Sequence, residues 1–227
     1  MLVEVIATNI ADVRAAGAYG ADRIELVTGI AEGGLTPSLG LIEAAAAVSA
    51  IPVQVMVRPH SQSFCYDNAD LAVMRRDIAA IRQAGAAGIV IGVLDERGAV
   101  DVPALETLLA AAGDLDVTFH RAFDETADQL VALRTLAAYP QIRRILTAGG
   151  QRPAPQAVQQ LAALAEAAAD THLRILAGYG LSAETVAVVV QGSGVHEVHF
   201  GSAAREDGSF ARPISRERIE AIRSAVG

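Results

Sequence analysis

The sequence contains no lysine; all 18 basic residues are arginine. A Schiff base on an enzyme lysine is therefore excluded, and so is the lysine of a phosphate-binding P-loop. Tryptophan is absent too, and aromatic residues make up only 4% of the chain. This argues against a sandwich or a base-stacking surface and leaves an aliphatic, alanine-rich core. The single cysteine, Cys65, has no partner for an intramolecular disulfide. Basic charge is in deficit, 18 residues against 26 acidic ones, for a net charge of −8. A nucleic-acid partner calls for a basic face, so none is expected. Met1–Glu4 shows neither a basic n-region nor a long apolar run, so no signal peptide is expected. The other apolar runs fall well short of the roughly 18 residues that span a bilayer. The reading is a soluble, cytoplasmic protein without a membrane partner.

What is present is alternation. The 227 residues, 52% of them hydrophobic, fit one large domain. Strand-like runs at Leu2–Ala7, Arg23–Val27, Val53–Val57, Gly88–Gly92, Asp116–His120, Arg144–Thr147, Leu173–Ala177 and Glu197–Phe200 recur along it. Each is followed by a helix-like run, at Ile10–Tyr19, Leu39–Val48, Ala69–Ala84, Pro103–Ala112, Gln129–Ala138, Ala154–Ala169, Ala183–Gln191 and Ser215–Val226. Eight strands joined by helical crossovers imply parallel pairing. Within 227 residues this predicts an α/β fold, a single-domain (β/α)₈ TIM barrel over residues 1–227. A doubly wound sheet is the runner-up. It is disfavoured because Ala7-Thr8-Asn9 carries no glycine for a dinucleotide turn.

Period two sorts each strand into a face toward the helices, which must be apolar, and a face toward the barrel interior. Val3, Val5, Val117, Phe119, Val198 and Phe200 belong to the first face. The interior then receives Glu4, Glu25, Gln54, Arg58, His120 and His199. That is an unusually polar filling, since branched aliphatic layers are the rule. Glu25 with Arg58, on neighbouring strands, is the expected ion pair, because a buried charge requires a partner. Glu4 lies too early in its strand to reach the chemistry at the C-terminal mouth.

The segment Val117-Thr-Phe-His-Arg-Ala-Phe-Asp124 runs from a strand straight into an imidazole, a guanidinium and a carboxylate. Glu25, Arg58, His120 and Arg121 form the candidate catalytic set, with His120 and Glu25 as acid and base and the arginines as anion holders. The bland alternative is a salt-bridge network that merely fills the barrel. Gly178, Gly180, Gly201 and Ser202 follow the last two strands, where many barrels cradle phosphate. Gly33-Gly34 and Gly149-Gly150 read as turns. No dense metal-ligand motif is present; His120, His199 and Cys65 are the side chains offered as metal ligands.

The segments Arg23-Ile-Glu-Leu26, Glu32-Gly-Gly-Leu-Thr-Pro-Ser38, Val57-Arg-Pro59, Met74-Arg-Arg-Asp77, Thr118-Phe-His-Arg-Ala-Phe-Asp124 and Ile145-Leu-Thr147 occur in this order. Together they make a sequence that resembles the CutC copper homeostasis family. The resemblance implies a TIM barrel, a cytoplasmic location, a homodimer or higher homo-oligomer, and copper as ligand. The chain departs from the pattern where many members look like L-E-V-C and R-I-E-L-C. Ile6 and Val27 stand there, which removes the thiolates that select Cu(I). Two functions follow: a CutC-like protein of copper homeostasis, or a metal-independent enzyme. The latter would be a lyase, isomerase or hydrolase acting on a small anionic metabolite, phosphorylated or not.

Overall fold

A computed structural model describes all 227 residues. Eight strands and eight main helices alternate along it. They are β1 (Leu2–Ala7), α1 (Ile10–Tyr19), β2 (Arg23–Leu26), α2 (Leu39–Val48), β3 (Val53–Met56), α3 (Asn68–Ala84), β4 (Gly88–Ile91) and α4 (Val102–Ala112). The second half continues with β5 (Asp116–Phe119), α5 (Gln129–Leu136), β6 (Ile142–Thr147), α6 (Val158–Ala168), β7 (Arg174–Ala177), α7 (Val186–Ser193), β8 (Glu197–Phe200) and α8 (Arg216–Val226). The strands pair in sequence order and β8 closes on β1, all parallel, giving a (β/α)₈ barrel.

The helix starts are written in the sequence. Asn9, Ser38, Asp101, Asp128 and Ser215 each cap a first turn with a side-chain oxygen. Asp67 and Asp70 make a reciprocal capping box at α3. The largest departures from the sequence reading are at α6, β6 and α7, the last starting at Val186 and not Ala183. α6 starts at Val158 because Pro155 sits in a separate short 3₁₀ turn, Ala154–Gln156. β6 starts two residues earlier than expected, at Ile142.

The outward faces of the strands and the inner faces of the helices make one aliphatic core, including Val3, Val5, Ile24, Leu26, Val117 and Phe119. The interior is polar, as period two requires: Glu4, Glu25, Gln54, Arg58, His120 and His199 are all buried. Close strand approach at its floor depends on Gly88. A methyl group there would overlap the Asp116 carbonyl and the Gln54 side chain, and a backbone carbonyl cannot move aside. Gly88→Ala is expected to destabilise the fold by about 1–3 kcal/mol, measured as a lowered urea midpoint. A neutral result would mean that β4 and β5 separate freely.

Candidate functional site

The interior charges form one continuous chain. Arg23 pairs with Glu4 and donates from Nη2 to Glu197 Oε2 at 2.7 Å. Glu197 faces Arg144 Nε at 3.3 Å, and the Arg144 fork holds both Asp116 oxygens at 2.7 and 2.8 Å. In the other direction Glu4 Oε1 meets His199 Nδ1 at 2.7 Å, and His199 Nε2 lies 3.8 Å from Glu25 Oε2. The strand register explains the order: Glu4 is level with Arg23 on β2 and with His199 on β8.

The expected Glu25–Arg58 pair is not formed. Glu25 points to His199 instead. Arg58 lies beyond the end of β3 and turns toward the loop after β2, where its Nη1 donates to the Glu32 carbonyl at 2.8 Å and the Gly34 carbonyl at 3.3 Å. Glu4 also departs from the reading that set it aside: it stands beneath the mouth and reaches the site through His199.

Burial raises the Glu25 carboxyl to about 7, with nearby Glu4 adding to the rise and His199 and Arg23 opposing it. Burial acts the same way on Glu4, but Arg23 and His199 outweigh it and hold that carboxyl down at about 2. His199 is lowered by burial yet ends above its ordinary value, because Glu25 and Glu4 favour its charged form. His120 goes the other way. Burial and the charge of Arg58 push it down to about 3. Its Nδ1 accepts the Ala122 N–H at 3.1 Å, so the remaining proton sits on Nε2. At neutral pH it therefore presents a neutral Nε2–H, a hydrogen-bond donor.

At the C-terminal mouth these groups line a cleft of about 870 Å³. Glu25, Arg58, His120, Arg121 and His199 all reach its wall. Gly180, Gly201 and Ser202 line it as well, whereas Gly178 is wedged against Leu146 and His199. Gly33-Gly34 and Gly149-Gly150 take positive φ, as turns do. Ile6 lines the cleft, and Val27 packs beside it with Met56 and Val90. Cys65 is exposed in the loop after β3. His60, which shares that loop, faces Tyr66 and Asp70 instead.

Asp124 is a residue sequence reasoning touched without giving it a role. Its carboxylate accepts from the Thr147 hydroxyl, the Ala148 and Gly150 amides and Arg121 Nε. It thereby ties the turn after β5 to β6 and fixes Arg121, whose guanidinium lies 4.1 Å from the Tyr179 ring centre. Tyr179 holds that position at φ 72, a left-handed conformation uncommon for a non-glycine residue. Arg144 was missed too. Its signal was present: Ile145 packs outward, so Arg144 must turn in.

Residues 1–204 match the model of the CutC family. A CutC family protein of Klebsiella pneumoniae subsp. pneumoniae is 43% identical over 198 residues, covering 87% of this chain and 78% of the relative. One from Yersinia pseudotuberculosis serotype I is 42% identical over 186 residues, covering 82% and 72%. Among solved structures, a CutC protein of Streptococcus agalactiae assigned to copper homeostasis superposes with a TM-score of 0.83 at 32% identity, covering 88% of this chain and 98% of that one. A phosphoribosyl anthranilate isomerase of Thermococcus kodakaraensis, with a TM-score of 0.67 and 17% identity over 99% and 98% of the chains, shares the barrel fold. With its family segments in order and the family model matching residues 1–204, this chain belongs to the CutC family.

Proposed function

We propose that this chain serves copper homeostasis by binding copper as cargo, in the divalent state, on Glu4, Glu25 and His199. One observation carries the reading. A ligand atom from each of the three lies within 4.8 Å of the others, and all three residues are buried. Glu25 Oε1 has no hydrogen-bond partner, so it has a lone pair to give. Two carboxylates and an imidazole are donors for Cu(II), which heads the divalent series; Cu(I) asks for thiolate or thioether. The sulfur at the cleft wall is the Met56 thioether, while Cys65 stands outside. Support for the copper role itself comes from the Streptococcus agalactiae relative at 32% identity.

Binding must displace a proton from His199 and loosen Glu4 from Arg23, so affinity rises with pH. The test is calorimetric titration with Cu(II), with Zn(II), and with Cu(I) under reducing conditions. Cu(II) is expected to bind tightest and Cu(I) weakest. His199→Ala and Glu25→Gln are each expected to weaken Cu(II) by about tenfold or more, as loss of a ligand or its support does. Cys65→Ala is expected to change nothing. Cu(II) affinity unaltered in both variants would refute the assignment. No helix is long and apolar enough to cross a membrane. The proposed location is the cytoplasm and the proposed assembly a homodimer or higher, both resting on the family. Cell fractionation and light scattering on the purified chain check them; a membrane-bound or strictly monomeric protein would contradict them.

A further inference from the structure

Four arginines are buried, and three are neutralised by carboxylates: Arg23 by Glu4 and Glu197, Arg144 by Asp116 and Glu197, and Arg205 by Asp12. Arg58 is the exception. It is 8% exposed, its Nη groups meet only the carbonyls of Glu32, Gly34 and Ser61, and its Nε has no partner. Carbonyl dipoles stabilise a cation but leave its net charge in place. An unpaired buried charge carries a desolvation cost of several kcal/mol, which an arriving anion relieves.

His120 presents the same incompleteness. With Nδ1 occupied by the Ala122 amide, its Nε2–H must donate, yet Nε2 is buried without an acceptor. Phe64 links the two groups: the Arg58 guanidinium lies 4.8 Å and the His120 ring 4.9 Å from its ring centre. Arg121 adds a second cation at the rim, 36% exposed. The carboxylate nearest to it, Asp124, is already met by Arg121 and two backbone amides. Apolar surface from Ile6, Leu146 and Phe210 completes the cleft.

We propose that the arc of the mouth between β3 and β5 binds a small organic oxyanion, a carboxylate or a phosphate ester. Arg58 and Arg121 supply the charge and His120 Nε2–H supplies a directional donor. Its donors come from the ends of β3 and β5, whereas Glu25 and His199 stand on β2 and β8, so none of the three is a proposed copper ligand. The site therefore does not depend on copper binding. The two donors differ in kind: the arginines recognise charge, while a neutral imidazole donor also polarises a carbonyl oxygen. The class of ligand is accordingly an anionic metabolite with an apolar body, and a carbonyl next to the anionic group suits the donor best.

The experiment is calorimetry of the full chain with inorganic phosphate and, separately, benzoate, in the presence of EDTA. Saturable binding of at least one is expected, and which one binds tighter identifies the anionic group. Arg58→Met is expected to weaken it about tenfold or more, since a buried charge pair loses one partner. His120→Phe is expected to weaken it less. Because Arg58→Met can fail to fold, the wild-type melting temperature provides a second reading. It is expected to rise with phosphate or benzoate beyond the rise given by chloride at equal ionic strength. Absence of saturable binding by both anions, or binding that survives Arg58→Met, would overturn the proposal.

Discussion

Arg23→Met is expected to destabilise the fold by roughly 3–5 kcal/mol, the usual result of removing one partner from a buried ion pair. Arg23 is 4% exposed and stands between Glu4 and Glu197. Methionine fills much of the same volume, so the loss is electrostatic and not a cavity effect. Glu4 then keeps only His199, and Glu197 keeps only the 3.3 Å contact to Arg144 Nε. Part of the charge is shed by protonation: without Arg23, burial drives the Glu4 carboxyl upward from about 2. The variant is therefore expected to recover some stability on mild acidification. Urea unfolding at pH 7 measures the main effect, with the midpoint falling and the slope unchanged. Arg144→Met is the comparison. Its partner Asp116 is 31% exposed and rehydrates in place, so a smaller loss is expected. A loss below about 1 kcal/mol for Arg23→Met, the range of an exposed pair, would mean that water already reaches the barrel floor.

Which residues face inward was readable because a closed parallel barrel leaves each strand one choice. The apolar set Val3, Val5 and Ala7 must meet the helices, so Glu4 and Ile6 cannot. The same argument correctly placed Gln54, His120 and His199. Which inward residues touch was not readable, because contacts across the barrel depend on the stagger between strands. Glu25 lies level with Ile6 and Gln54. Its nearest cation is then His199, two strands away on β8. Arg58 escaped for another reason: it lies past the last paired residue of β3, where strand alternation no longer governs direction. The anchoring of Arg121 by Asp124 was hidden in a turn. The segment His-Arg-Ala-Phe-Asp displays the right chemical groups, but a 3₁₀ turn at Arg121–Glu125 sets which of them fold back. His120 shows what one backbone contact can fix. Composition says imidazole, while the Ala122 amide says donor.

The two central titrations pull the stability in opposite directions, and separate variants are expected to expose them. Glu25 is raised to about 7 from its ordinary 4.5. Between those values the folded state holds a proton that the unfolded state releases, so acidification from pH 7 to 4.5 stabilises the fold. His120 is lowered to about 3 from 6.5. Over that range the unfolded chain takes up the proton, so acidification destabilises. Each proton changes stability by at most about 1.4 kcal/mol per pH unit, so between pH 6.5 and 4.5 each group contributes up to about 2–3 kcal/mol, with opposite signs. His199, shifted upward, gives stability that is complete below 6.5 and is lost as pH rises through its folded value. Glu4, held at about 2, gives stability that is lost only below 4.5. Neither disturbs the comparison within the window. The wild-type urea midpoint is thus expected to stay nearly level from pH 6.5 to 4.5. In Glu25→Gln it is expected to fall on acidification, because His120 acts unopposed; in His120→Gln it is expected to rise. Three parallel profiles would show that both groups titrate in the folded protein as they do in the open chain. The cleft would then be wet enough to hold either one charged.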